Sequence, residues 1–76
     1  MISYSLESDA VYIQLTDEAV KRTVPVDDVR IVDYDDGGHV VGVEFLGASA
    51  GLDLRDLPER KHLEAEARVL NFPILA

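Results

Sequence analysis

The chain contains no cysteine and no tryptophan, and its 7 basic residues face 15 acidic ones. Each scarcity excludes something. Without cysteine there is no disulfide and no thiolate metal site. Without a lysine- or arginine-rich patch there is nothing to neutralise phosphates, so nucleic acid is not an expected partner. An anionic membrane surface is disfavoured for the same reason. No apolar run approaches the roughly 18 residues of a transmembrane helix. Met1-Ile2-Ser3-Tyr4 offers neither a basic n-region nor an apolar h-region, so the expected location is the cytoplasm. There is also no P-loop, no dinucleotide-binding glycine pattern and no H-E-x-x-H.

What is present fits one small domain. A chain of 76 residues buries only about 60% of its unfolded surface, so its core is thin. With disulfides excluded, oligomerisation, a carboxylate metal site or close packing must supply the remaining stability. The formal charge of −8 is uneven. Glu7, Asp9, Asp17, Glu18, Asp27, Asp28, Asp33, Asp35, Asp36, Glu44 and Asp53 stand against Lys21, Arg22 and Arg30 in residues 1–54. From residue 55 onward acids and bases balance. The whole net charge therefore sits on the first two thirds, which would attract a basic partner and in any case favours solubility.

Two strand–turn–strand units dominate the pattern. Ile2, Tyr4 and Leu6 alternate with Ser3 and Ser5; after a turn at Ser8-Asp9, Val11, Ile13 and Leu15 alternate with Tyr12, Gln14 and Thr16. That is period two, one apolar and one wet face per strand. Val29 to Tyr34 and Val40 to Leu46 form the second unit around Asp35-Asp36-Gly37-Gly38, a turn rich in residues that tolerate positive φ. Val20 to Val26 reads as a possible edge strand, because Lys21, Arg22 and Pro25 suit an edge. In the last strand Val41, Val43 and Phe45 share a face, with Gly42 and Glu44 on the other. Gly42 leaves room there for something to lie close.

Gly47-Ala48-Ser49-Ala50-Gly51 ends the sheet, and residues 52–57 form a connector. Pro58 suits a first helical turn, and Leu63, Ala67 and Leu70 make one apolar stripe. Asn71 and Pro73 stop the helix. The expected fold is α+β: an antiparallel β-meander of four to five strands (about 1–46), a small-residue connector (47–57), then a C-terminal helix and apolar tail (58–76).

Asp9-Ala10-Val11-Tyr12-Ile13, Thr23, Val32-Asp33-Tyr34-Asp35, Gly38 and the string from Val40 to Ser49 together resemble domain-of-unknown-function family 2283. These are small, uncharacterised, mainly bacterial proteins. The resemblance covers about residues 4–50, and Val41 to Ser49 is its most specific part. It implies a fold and no established activity, so no catalytic residue carries over. A partner-binding role in an antitoxin-like pair is the most it suggests.

Candidate chemistry is sparse. Gly47-Ala48-Ser49-Ala50-Gly51 matches G-x-S-x-G, but that nucleophile elbow requires a large parallel sheet with a histidine and an acid brought to the serine. Asp33, Asp35, Gly38 and Glu44 fall at positions 1, 3, 6 and 12 of a calcium loop, yet position 5 is Gly37 and the flanks read as strands. His39 and His62, the two histidines, have no fixed relation. Tyr4, Tyr12 and Tyr34 lie in strands and could cluster on the sheet. No catalytic residue, metal ligand set or cofactor is assigned.

The favoured reading is a non-enzymatic protein-interaction module. Asp27, Asp28, Asp33, Asp35 and Asp36 are the residues expected to meet a basic protein partner. Leu70, Phe72, Ile74 and Leu75 would bury a homodimer interface through an extended tail; the competing possibility is that the tail folds back on its own sheet. The alternative function is a small-ligand or divalent-metal-binding protein, or a minor hydrolase using Ser49 or the Asp35-Asp36 turn.

Overall fold

A computed structural model describes all of residues 1–76. The strands are β1 (Ile2–Ser5), β2 (Ala10–Gln14), β3 (Arg22–Pro25), β4 (Arg30–Tyr34) and β5 (Val40–Leu46). A 3-10 turn (Ala48–Ala50), β6 (Leu52–Asp53), α1 (Arg60–Ala67) and β7 (Ile74–Leu75) follow. The first five strands make one antiparallel sheet in the order β1-β2-β5-β4-β3. The expected fold class is therefore present, with a specific wiring. β3, β4 and β5 run as a meander, and the β1–β2 hairpin lies beside them through β2 and β5. The two hairpin units are thus neighbours, and β1 and β3 are the open edges.

Alternation sorts the strands' side chains. Val11, Ile13, Val32, Val43 and Phe45 point inward and are essentially inaccessible. Ala48, Leu52, Leu54, Leu57, Leu63 and Ala67 cover them from the C-terminal side. Burying such side chains contributes roughly 1.5–3 kcal/mol apiece, so this packing is what holds sheet and C-terminal segment together.

One expected face assignment changes. Asp33 pairs with Gly42, but Tyr34 pairs with Val40, so Val41 is the extra residue of a bulge. Its carbonyl accepts the Leu15 N–H at 2.7 Å. The bulge shifts the alternation, and Val40 rather than Val41 joins the core cluster with Val43 and Phe45.

The C-terminal segment also differs from the sequence-based expectation. Residues 52–57 are not merely a connector. Leu52–Asp53 pairs in parallel with Ile74–Leu75, with the Leu52 N–H on the Pro73 carbonyl at 2.8 Å and the Leu54 N–H on the Leu75 carbonyl at 2.7 Å. The helix is shorter than 58–71, because Glu59 takes a left-handed conformation (φ 55) immediately before it. Leu70, Phe72 and Ile74 pack on their own core, and only Leu75 is largely exposed. The tail takes the fold-back course, so the apolar surface that motivated a tail-mediated dimer is mostly consumed within the chain.

No helix is long and apolar enough to cross a membrane.

Candidate functional site: the uncovered face of the sheet

The outward phase of the strands carries Tyr12 on β2, Gly42 and Glu44 on β5, Asp33 on β4 and Thr23 on β3. The register places Gly42, Asp33 and Thr23 in one row across the sheet and Tyr12 and Glu44 in the next, so Tyr12 meets Asp33 on the diagonal. The Tyr12 hydroxyl reaches over β5 and donates to Asp33 Oδ2 at 2.9 Å. Thr23, paired directly with Asp33, donates its hydroxyl to Oδ1 at 2.6 Å. Gly42 makes this possible. A Cβ there would lie 2.4 Å from the Tyr12 hydroxyl oxygen and 2.8 Å from the Ile13 carbonyl, so the ring occupies the space a side chain would take. This is the close approach expected at Gly42, and its occupant is Tyr12.

Partial burial, the bond to Asp33 and the charges of Asp33 and Glu44 push the Tyr12 phenol up to about 12. It stays a neutral donor at physiological pH. Asp33 is held by one donor on each oxygen, and each oxygen keeps acceptor capacity for an incoming N–H. Glu44 stands half-exposed opposite Tyr12. A face with one fixed carboxylate, a second half-exposed one and an aromatic ring can receive a guanidinium or ammonium by charge-assisted hydrogen bonds and cation–π interaction. No element of the chain pairs or packs over it.

The five acidic residues singled out from the sequence do not converge. Asp27 and Asp28 lie in the β3–β4 turn, and Asp35 and Asp36 in the β4–β5 turn, at opposite ends of β4. Three are engaged within the chain. Asp27 accepts from the Val29 N–H at 3.0 Å and from Arg30 Nε at 2.9 Å, and the arginine bond chiefly lowers its pKa. Asp35 accepts the Gly37 and His39 N–H groups, both at 2.9 Å; the His39 amide is the main cause of its lowered pKa. Asp33 belongs to the row above. Asp28 and Asp36 are exposed.

Ser49 has a structural partner. Its N–H and hydroxyl donate to the Asp9 carboxylate at 3.0 and 2.7 Å, and the Ala48 N–H donates to the Asp9 carbonyl at 2.9 Å. Asp9, at φ 50, thus fastens the 3-10 turn to the β1–β2 turn. His39 lies at the opposite end of β5, roughly 20 Å of strand away at about 3.4 Å per residue. The hydroxyl therefore has an acid beside it and no His39 to activate it. The calcium-loop spacing does not close either, since Asp35 serves its own turn and Glu44 lies on the strand. No three of the His, Asp and Glu side chains form a group able to hold a metal ion.

The tyrosines do not cluster. Tyr4 lies against Phe72 at 5.1 Å between ring centroids, Arg22 sits 4.8 Å over Tyr34, and Tyr12 is on the other face. A cleft of about 240 Å³ lined by Met1, Gln14, Leu15, Thr16 and Asp17 lies past the end of β2. Its polar groups serve one another: Gln14 Nε2 donates to the Thr16 carbonyl at 2.8 Å and to Asp17 at 3.3 Å.

Residues 1–49, all five strands of the main sheet and the turn that Asp9 fastens, match the family described as protein of unknown function (DUF2283). The chain belongs to that family. It is also similar to an uncharacterised protein of Methanocaldococcus jannaschii, with 38% identity over 48 residues. The matched region is 63% of this chain and 40% of that relative, so the likeness spans well under half of the longer protein. No solved structure matches the chain. The DUF2283 match ends where β6, α1 and β7 begin, which leaves the whole uncovered row inside it.

Of that row, sequence reasoning singled out only Asp33 for meeting a partner. Tyr12, Thr23 and Glu44 were legible as outward-phase residues, but their alignment depends on the pairing of β2 with β5, which alternation does not specify.

Proposed function

We infer that this DUF2283 protein is a non-enzymatic protein-interaction module that receives a basic segment of a partner protein on the uncovered sheet face. The observation that carries this reading is the Tyr12–Asp33–Thr23 row, with Glu44 beside it and nothing of the chain over it. The Asp33 carboxylate is held in place by Tyr12 and Thr23 before any partner arrives, so little of its side-chain entropy is lost on binding. The −8 charge of the chain supports attraction of a cationic segment over a distance. Asp28 and Asp36 add unengaged negative charge at the two ends of β4. Pairing with a basic partner in the manner of an antitoxin is one form such a role takes.

Titration with a lysine- and arginine-rich peptide, followed by calorimetry, tests the reading. Polycations adhere to acidic proteins generally, so the decisive comparison is between two variants of equal charge change. Glu44→Lys, on the face, should weaken binding at least about tenfold, a change of about 1.4 kcal/mol. Glu7→Lys, in the exposed β1–β2 turn, should weaken it far less. Equal losses would reduce the interaction to net charge and overturn the assignment of the face. Attraction should fade as the screening length falls from about 10 Å at 0.1 M salt to about 3 Å at 1 M. Duplex DNA should not bind.

A further inference from the structure

β3 is the last strand of the sheet, and all four of its residues are exposed. The Val26 N–H donates to the Arg30 carbonyl at 2.8 Å. By antiparallel alternation, Arg22, Val24 and Val26 turn their backbone groups toward β4, and Thr23 and Pro25 turn theirs outward. Pro25 has no N–H. Thr23 is therefore the one outward residue of β3 with both a free donor and a free acceptor.

The side chains around this edge are unusually apolar for a rim. Val20, Val24, Val26 and Val29 are 46%, 37%, 42% and 47% exposed. Val24 lies opposite Val32, so it sits on the core side of the sheet, where the β6–α1–β7 layer does not reach far enough to cover it.

We propose that a second copy of this chain docks on the β3 edge, pairing β3 with β3 antiparallel about a two-fold axis at Thr23. The occupant follows from self-complementarity. An axis through the Thr23 pair gives two reciprocal bonds, each Thr23 N–H to the other copy's Thr23 carbonyl. An axis at Pro25 gives none, because both donors are missing, so proline selects the register. In the Thr23 register Val26 faces Val20 of the second copy, and Val24 faces Arg22. Val24 lies on the core side, and Val20, just before the strand, comes to the same end of the interface as Val26 of the other copy. Charge follows the same symmetry. Lys21 at one end of β3 comes beside the Asp27-Asp28 end of its counterpart, and opposite charges at such diagonal positions are within side-chain reach. A basic peptide would lack the acidic half of this match. Lys21, Arg22 and Pro25 are also the devices that keep an edge from unlimited pairing; here they leave a single short ladder that closes on itself as a dimer.

The interface is small, and interfaces under about 1,200 Å² are typically weak. Sedimentation equilibrium on the full chain should therefore run from micromolar to millimolar protein, with no peptide present, so that its outcome is independent of the proposed partner face. The expected result is a monomer–dimer equilibrium in which Val24→Asp and Val20→Asp each raise the dissociation constant about tenfold or more, because a carboxylate then takes the place of an apolar side chain between the two copies. Val20 lies outside the strand, which keeps the test valid if Val24→Asp perturbs folding. Amide hydrogen exchange supplies the second reading: the Thr23 N–H should become protected as protein concentration rises. A monomer at millimolar concentration overturns the proposal. So does a dimer whose Thr23 amide exchanges as fast as in dilute solution, because that places the interface elsewhere, with the exposed Leu75 as the next place to look.

Discussion

The two faces of the main sheet are made from alternate residues of the same strands, yet they are completed in different ways. The inward face is unfinished within the DUF2283 match. Val11, Ile13, Val32, Val43 and Phe45 need Leu52, Leu54, Leu57, Leu63 and Ala67, all beyond residue 49. The outward face is finished inside residues 1–49 by hydrogen bonds among Tyr12, Asp33 and Thr23, and nothing covers it. The difference separates the face that carries stability from the face on which we propose that a partner is received. Apolar burial is non-directional, so a short helix and two two-residue strands suffice as a cover. A polar row with a specific register is directional, and it is on this row that the proposed partner contact rests.

The largest expected effects come from uncovering the inward face. Leu63 is fully buried and, with Ala67, is what α1 contributes to the core. Leu63→Ala should destabilise the chain by about 2–5 kcal/mol, measured by urea denaturation. The transition should remain a single cooperative step for the two layers. A sheet that melted unchanged after loss of the helix would separate them and break the comparison.

The outward face should be most sensitive at Gly42. Gly42→Val drives atoms into the Tyr12 ring and the Ile13 carbonyl, with an expected loss of about 1–3 kcal/mol from overpacking. Ser49→Ala should cost less, about 1 kcal/mol for one hydrogen bond, since the Ser49 N–H still reaches Asp9. If urea melts ranked the two the other way, the close approach at Gly42 would be less constraining than its geometry indicates.

A smaller effect sharpens the comparison through pH. The folded chain holds the Tyr12 phenol protonated, with its pKa raised from 10.0 to about 12. The unfolded chain therefore releases this proton first, and the stabilisation is present in full below pH 10 and is lost as pH rises through 12. Tyr12→Phe should be slightly less stable near neutrality, by about 1 kcal/mol for the lost bond. Its deficit should shrink between pH 10 and 12. A deficit that stays constant across that window would mean the hydroxyl is not a donor to Asp33.

Much of the fold was legible in the sequence. Period-two patterns marked the two hairpins, and Lys21, Arg22 and Pro25 marked an edge strand that β3 proves to be. The unforeseen features are those set by non-local pairing. The position of β5 between β2 and β4 is what aligns Tyr12, Asp33 and Thr23, and alternation within single strands is blind to it. The bulge at Val41 changes one residue's face through a local irregularity. The pairing of Leu52–Asp53 with Ile74–Leu75 involves segments too short to show a period. Asp9 and Ser49 lie 40 residues apart, and no local pattern links them. For the site, Asp33 was singled out by its charge, but charge alone also selected Asp27 and Asp35, whose carboxylates instead serve their own turns.

The central claim is that the outward face, and not the turns or the C-terminal layer, is the surface that meets a partner. Backbone amide shifts of the labelled chain during titration with a lysine- and arginine-rich peptide test it most directly. The shifts should concentrate at Tyr12, Thr23, Asp33, Gly42 and Glu44, and Glu44→Lys should abolish them. Shifts concentrated at Asp28 and Asp36, or along α1, with the sheet face unmoved, would contradict the claim.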